Sequence, residues 1–243
     1  MRYTLVKLDT TDSTNEYLRH YTPAEGEAMT VAVSRYQTAG RGQGGNKWES
    51  EAGKNLLFSV LTHPVSVPAR RQFVLSMAAA LALRDVLAAI TGGITLKWPN
   101  DVYWNDLKIS GTLIETRLSG ESITACITGT GVNVNQRIFR SGAPNPVSMV
   151  NITGRETDIG RLLADIMQAF CTYYDKACRG EYAYISDRYH EALYRRTGVY
   201  EYADAQGTFA AETIGVDDNG RLLLRRADGS VKAYGFKEVK FII

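Results

Sequence analysis

The chain has 243 residues, of which 44% are hydrophobic and 22% charged. That is the ordinary globular range, long enough for one sizeable core or for a core domain with a small satellite, and it excludes disorder as the starting point. Twenty-eight basic against 26 acidic side chains leave a formal net charge of +2, too even a balance for a general nucleic-acid binder, whose phosphate contacts demand a clear basic excess.

In chain order, residues 3–8 (YTLVKL) read as a short strand, and Asp12 and Ser13 as the cap of a short helix running to about residue 19. This opening carries charge early and lacks the apolar centre of a secretion signal, and no later apolar run is read as membrane-spanning. Residues 29–35 (MTVAVSR) alternate and are β-branched, which predicts a strand. A polar, glycine-rich stretch at 36–54 precedes NLLFSVL (55–61), a buried strand. Over 69–90, Val74, Leu75, Ala78, Leu81, Ala82, Leu83, Val86 and Leu87 recur at helical spacing. Strands are expected at 94–98, 108–118 and 122–134, an amphipathic helix at 158–178 and a shorter one at 181–194. A sheet with long helices on it predicts an α/β or α+β layered domain. Cys126, Cys171 and Cys178 show no CxxC spacing, which argues against a disulfide framework or zinc site and for thiols in a reducing cytoplasm.

From about residue 196 the pattern changes to short alternating segments divided by turn signals at Asp204, at 218–220 (DNG) and at Asp228-Gly229. This spacing predicts a small all-β barrel over 195–243, behind a larger domain over 1–194.

Five segments carry chemistry. In QTAGRGQGGNKW (37–48), four glycines within six residues free the backbone to close on an anion, Arg41 can grip a carboxylate or phosphate, and Trp48 can act as an apolar lid. Alone, this stretch would fit a surface hairpin equally well; it matches neither common nucleotide-binding glycine loop. In KWPNDVY (97–103), Pro99 stiffens a turn that presents Asn100, suited to a base edge, and Asp101, suited to Mg²⁺; an ordinary Asn-Asp turn has the same composition. In KISGTLIE (108–115), Lys108 opens an otherwise apolar strand, where it could neutralise charge between a carboxylate and an α-phosphate or simply stay exposed. In GTGVNVN (129–135), small residues alternate so that a ligand can lie flat on the strand, or mark a bulge and turn. In DSTN (12–15), hydroxyls and an amide suit a neutral polar group such as a ureido ring, or cap a helix.

Taken together and in this order, the five segments resemble the biotin–protein ligase family, which shows an STN segment, a GRGRxGRxW-type loop, KWPNDxY, a K(I/L)xGxLxE strand and a GxGxNxN strand. The resemblance spans roughly residues 8–240. It implies a catalytic domain like that of class II aminoacyl-tRNA synthetases, with a mixed sheet and flanking helices, and a C-terminal SH3-like barrel. It implies ATP-dependent formation of biotinyl-5′-AMP and transfer of biotin to a lysine of a biotin carboxyl carrier domain. Ser13, Thr14, Asn15 and Gln37 match positions at the biotin head group. Gly40, Arg41, Gly42, Gln43 and Trp48 match the loop that folds over biotin, and Gly111, Gly129 and Gly131 match backbone close to it. Lys108, with Arg41, matches the catalytic cations at the biotin carboxylate and phosphate. Lys97, Asn100, Asn133 and Trp48 match the nucleotide side, and Asp101 an Mg²⁺ ligand. Two positions depart from the pattern: Gln43 and Asn46 stand where arginines are frequent, and the neutral Gln43 removes one charge facing the phosphate.

Activation explains the cations: a carboxylate does not acylate an amine until it becomes a mixed anhydride, and catalysis is then positioning plus electrostatics. A lipoate or octanoate transferase of the same fold is the alternative, disfavoured by the KWPND and GRG segments together. A DNA-binding repressor would need a helix-turn-helix module, and twelve residues precede Ser13. A soluble cytoplasmic enzyme that binds neither DNA nor membrane is therefore expected, with monomer or homodimer left open.

Overall fold

The computed structural model describes residues 3–243. Seven strands form the larger sheet: β1 (Thr4–Thr11), β2 (Met29–Gln37), β3 (Leu56–Thr62), β4 (Ile94–Lys97), β5 (Asp101–Trp104), β6 (Leu107–Ser119) and β7 (Ser122–Val132). Their order is β1-β2-β3-β7-β6-β5-β4, parallel between β1 and β2 and antiparallel elsewhere. All seven residues of β3 are buried, which is why that strand reads as a continuous apolar run rather than an alternating one. Neighbouring residues face opposite sides of a strand: Val31 and Val60 join the main core, while Ala32, Leu61 and Ile127 pack with Leu18 of helix α1 (Thr14–Arg19) on the other face.

The main core lies between the sheet and helices α2 (Phe73–Thr91), α4 (Ile159–Cys178) and α5 (Tyr182–Glu191). Asp158 caps α4, its carboxylate accepting from the Arg161 N–H. The expected helix start at residue 69 is instead a 3₁₀ turn, Ala69–Arg71, before α2. By length and composition Ala69–Thr91 could cross a membrane, a property the sequence reading missed. Ten residues of α2 are buried in this fold, as in the core helix of a packed domain. Two elements were not expected: β5, and the short helix α3 (Met149–Thr153).

The C-terminal segments form a second antiparallel sheet of β8 (Val199–Asp204), β9 (Gly207–Val216), β10 (Leu222–Arg226), β11 (Val231–Tyr234) and β12 (Lys240–Phe241), in the order β11-β10-β9-β8-β12. The turns follow from their residues: Asp217 accepts from the backbone of Asn219 and Arg221, Asp228 from that of Ser230, and Gly220 and Gly229 sit at φ 78° and 81°. The expectation of a closed barrel is not met by a ladder, since none joins β11 to β12 among the described residues. Tyr202, Leu222, Leu224 and Tyr234 of this sheet belong to the same hydrophobic cluster as the main core.

Candidate active site

The antiparallel register of β6 and β7 sets Gly111 opposite Gly131 and Leu113 opposite Gly129, so three glycines make a floor without side chains. What lies on that floor is close enough to require glycine. A Cβ at Gly129 would overlap the Asn15 side chain, and one at Gly131 would overlap the Trp48 indole. At Gly111 it would stand 3.1 Å from Trp48 and 3.2 Å from the end of Lys108.

Next to Gly129 the pocket is polar and neutral. The Thr14 N–H and hydroxyl both donate to Gln37 Oε1, at 2.7 and 3.0 Å. The buried Ser59 Oγ lies 2.7 Å from Thr14 Oγ1 and 2.6 Å from Asn15 Oδ1, and Asn15 Nδ2 donates to Glu115 at 2.8 Å. Ser13 occupies the N-cap position of α1 in extended geometry but makes no side-chain cap bond, which leaves its hydroxyl to the pocket. Asp12 instead accepts the Ser13 N–H at 2.6 Å, and that bond holds its carboxyl below the usual range.

Next to Gly111 and Gly131 the pocket is cationic and covered. Residues 40–48 form a hairpin closed by Trp48 N–H to Gly40 O (3.0 Å) and Gly42 N–H to Asn46 O (2.7 Å), turning through Gly44 and Gly45 at φ 67° and 89°. The hairpin lays Trp48 across the floor with Lys108 Nζ 5.7 Å from its ring. Lys108 pairs with Asp101 at 2.6 Å and Arg41 with Glu16 at 3.2 Å. Trp48 Nε1 and Gln43 Oε1 are buried with no hydrogen-bond partner. An unmet buried polar atom costs about 1–3 kcal/mol, so both are atoms a ligand would satisfy.

One pocket thus gathers Ser13, Thr14, Asn15, Gln37, Arg41, Gly42, Gln43, Trp48, Asn100, Lys108, Gly111, Gly129 and Gly131. Gly40 stands at its rim in the hairpin, and Asp101 reaches it through Lys108. Lys97 and Asn133 are not among the lining residues. Lys97 lies under the second sheet, 5.2 Å from the Tyr103 ring and 4.5 Å from that of Phe241. Burial lowers its pKa and raises that of Tyr103 to about 12. Asn133 is buried, with its Nδ2 donating to Val147 O at 3.1 Å, a structural contact behind Lys108. Thr112, Leu113 and Thr130 also line the pocket, and the sequence reading gave them no role. It also missed Ser59, whose place in NLLFSVL carries no mark of its partners Thr14 and Asn15. For Glu16 no sequence signal existed. Among the described residues no cluster of three or more His, Cys, Asp or Glu side chains could hold a metal.

Comparison with known proteins gives the family. Residues 8–133, more than half of the chain, match the biotin/lipoate A/B protein ligase family. The biotin–[acetyl-CoA-carboxylase] ligase of Paracoccus denitrificans is 35% identical over 234 residues, covering 90% of this chain and 93% of the relative. The bifunctional ligase/repressor BirA of Bacillus subtilis is 28% identical over 93% of this chain and 70% of its own length. Among solved structures, the biotin protein ligase from Aquifex aeolicus in complex with biotin and ATP superposes with a TM-score of 0.81 at 27% identity, over 98% of this chain and 99% of that one. The chain belongs to the biotin/lipoate A/B protein ligase family. It is a ligase.

Proposed function

We propose that this chain activates biotin with ATP to biotinyl-5′-AMP and passes the biotin to a lysine of a biotin carboxyl carrier domain. One observation carries the reading: along a single glycine floor, neutral hydrogen-bonding groups at Gly129 give way to Lys108 and the Trp48 lid at Gly111 and Gly131. A ureido head with an acid tail fits that polarity. So does the content of the Aquifex aeolicus structure, which holds biotin and ATP.

The chemistry then follows from charge. A biotin carboxylate oxygen attacks the α-phosphorus of ATP, and pyrophosphate leaves. Lys108 and Arg41 offset the negative charge that gathers there, in a site already set for it. The Nζ of the acceptor lysine next attacks the acyl carbon, and AMP leaves. No nucleophile on the enzyme is required. Cys126 supplies none, since it is buried and its thiol is pushed up to about 11. Mg²⁺ enters as part of the ATP substrate. Asp101 would be the residue to hold it, since Mg²⁺ commonly takes only one or two carboxylates besides phosphate and water, and the ion would offset phosphate charge there. The resemblance gives Lys97 and Asn133 to the nucleotide, although neither lines the pocket.

We divide the chain into a catalytic part, 1–194, and a C-terminal part, 195–243, on the strength of the two separate sheets. Three free cysteines support a reducing cytoplasm. The test is single-turnover reaction with biotin and ATP labelled at the α-phosphate. The wild type should form labelled biotinyl-AMP. Lys108→Ala should keep its fold and slow that step by roughly 10²–10³-fold, the scale of one lost charge-stabilising donor. Equal rates in the two would remove Lys108 from the mechanism.

A further inference from the structure

We infer that Glu16 is an internal rival for Arg41 that lowers the affinity of the pocket for anionic ligands and speeds release of the adenylate. This rests on the reading above and adds a residue to which that reading gives no role. Glu16 lies one position beyond the DSTN segment, on α1, with its side chain 19% exposed. Its Oε2 lies 3.2 Å from Arg41 and 2.8 Å from Arg19 as charge contacts without hydrogen-bond geometry, and its Oε1 lies 3.0 Å from His20 Nε2.

Arg41 and Lys108 are the two cations that line the pocket. Lys108 is already paired with Asp101, and Arg41 with Glu16. A ligand phosphate or carboxylate therefore meets either cation with part of its charge already offset by a carboxylate. Arg41 sits on a hairpin turned by Gly44 and Gly45, so it can exchange partners by a small loop movement. Glu16 sits on a helix whose adjoining residues Thr14, Asn15 and Leu18 are buried, so it stays where it is. Gln43 and Asn46, neutral in this loop, leave no second arginine to take over at the phosphate while Glu16 keeps Arg41. Pairs this exposed are worth little singly, and the effect sits on that modest scale.

The sign of the effect separates this role from a structural one. If Glu16 only anchors α1, removing its charge loosens the pocket and ligands leave faster. If it competes for Arg41, removing its charge makes them leave more slowly. In Glu16→Gln, biotinyl-adenylate formed from biotin and labelled ATP and then chased with unlabelled biotin should leave roughly two- to five-fold more slowly than from wild type. The difference should shrink in high salt and vanish when both forms also carry Arg41→Ala. A second readout needs no adenylate: trypsin should cut after Arg41 faster in ligand-free Glu16→Gln than in ligand-free wild type, because the arginine has lost its tether. Unchanged or faster release overturns the proposal. So does unchanged tryptic cleavage. Absence of adenylate in the wild type would instead count against the proposed reaction and leave the cleavage comparison to decide the role of Glu16.

Discussion

Gly111, Gly129 and Gly131 set what the pocket can hold, because each gives up a side chain where another group lies on the backbone. Gly131 is the sharpest case, since the Trp48 indole occupies the space of its missing Cβ. Gly131→Ala should displace the indole at an overpacking cost of about 1–3 kcal/mol. Biotin affinity should fall by roughly ten- to a hundredfold on that scale, with the fold retained. Titration calorimetry with biotin measures it, and unchanged affinity would show that the floor does not carry the ligand. Gly129 and Gly131 were legible in the sequence as alternating small residues, and Gly111 only through the family resemblance. Ser59 and Glu16 were not, because a serine in a buried strand and a glutamate on a short helix acquire meaning only from partners far along the chain, Thr14 for one and Arg41 for the other.

At the scale of elements, the site is a product of register. KISGTLIE and GTGVNVN each announced a strand, but only the pairing of Gly111 with Gly131 makes one floor from them. The sequence contained no measure of that pairing. β5 went unread for a related reason: Asp101–Trp104 is four residues long between two turn signals, below the length at which alternation is visible. The long helices were legible because α4 repeats its apolar face over twenty residues. The 40–48 hairpin should respond to ligand, since it turns through two positive-φ glycines and carries two buried atoms in want of partners. Trypsin should cut the free protein after Arg41 or Lys47, and biotin with ATP should slow that cleavage at least severalfold, as a loop ordered by its ligand would. The same rate with and without ligands would argue against closure.

At the scale of the whole molecule, the second sheet does not stand apart from the site. Trp98 Nε1 donates to Gly220 O at 2.8 Å, and Lys237 Nζ reaches Gly44 O of the glycine-rich hairpin at 3.0 Å. The change of pattern near residue 196 falls just before β8, which begins at Val199. The merger of this sheet with the main core was hidden, because it depends on how β8 to β12 pack and not on their periodicity. Lys97 is caught in that junction. Burial lowers its pKa against the pull of Asp101. The folded state thus binds its proton less readily than the unfolded chain. That costs stability fully below the folded pKa, and the cost fades as pH rises toward the ordinary lysine value of 10.5. Lys97→Met should therefore be more stable than wild type in urea at neutral pH, with the advantage shrinking near pH ~10. An equal advantage at both pH values, or a loss, would contradict a burial cost at the half-buried Lys97.

The central claim is tested most directly by the acceptor itself. A biotin carboxyl carrier domain incubated with the protein, biotin, ATP and Mg²⁺ should gain the mass of one biotinyl group on a single lysine, as read by intact-mass analysis. Omission of ATP should abolish the gain. A carrier of unchanged mass under complete conditions, or one modified only when lipoate replaces biotin, would contradict it.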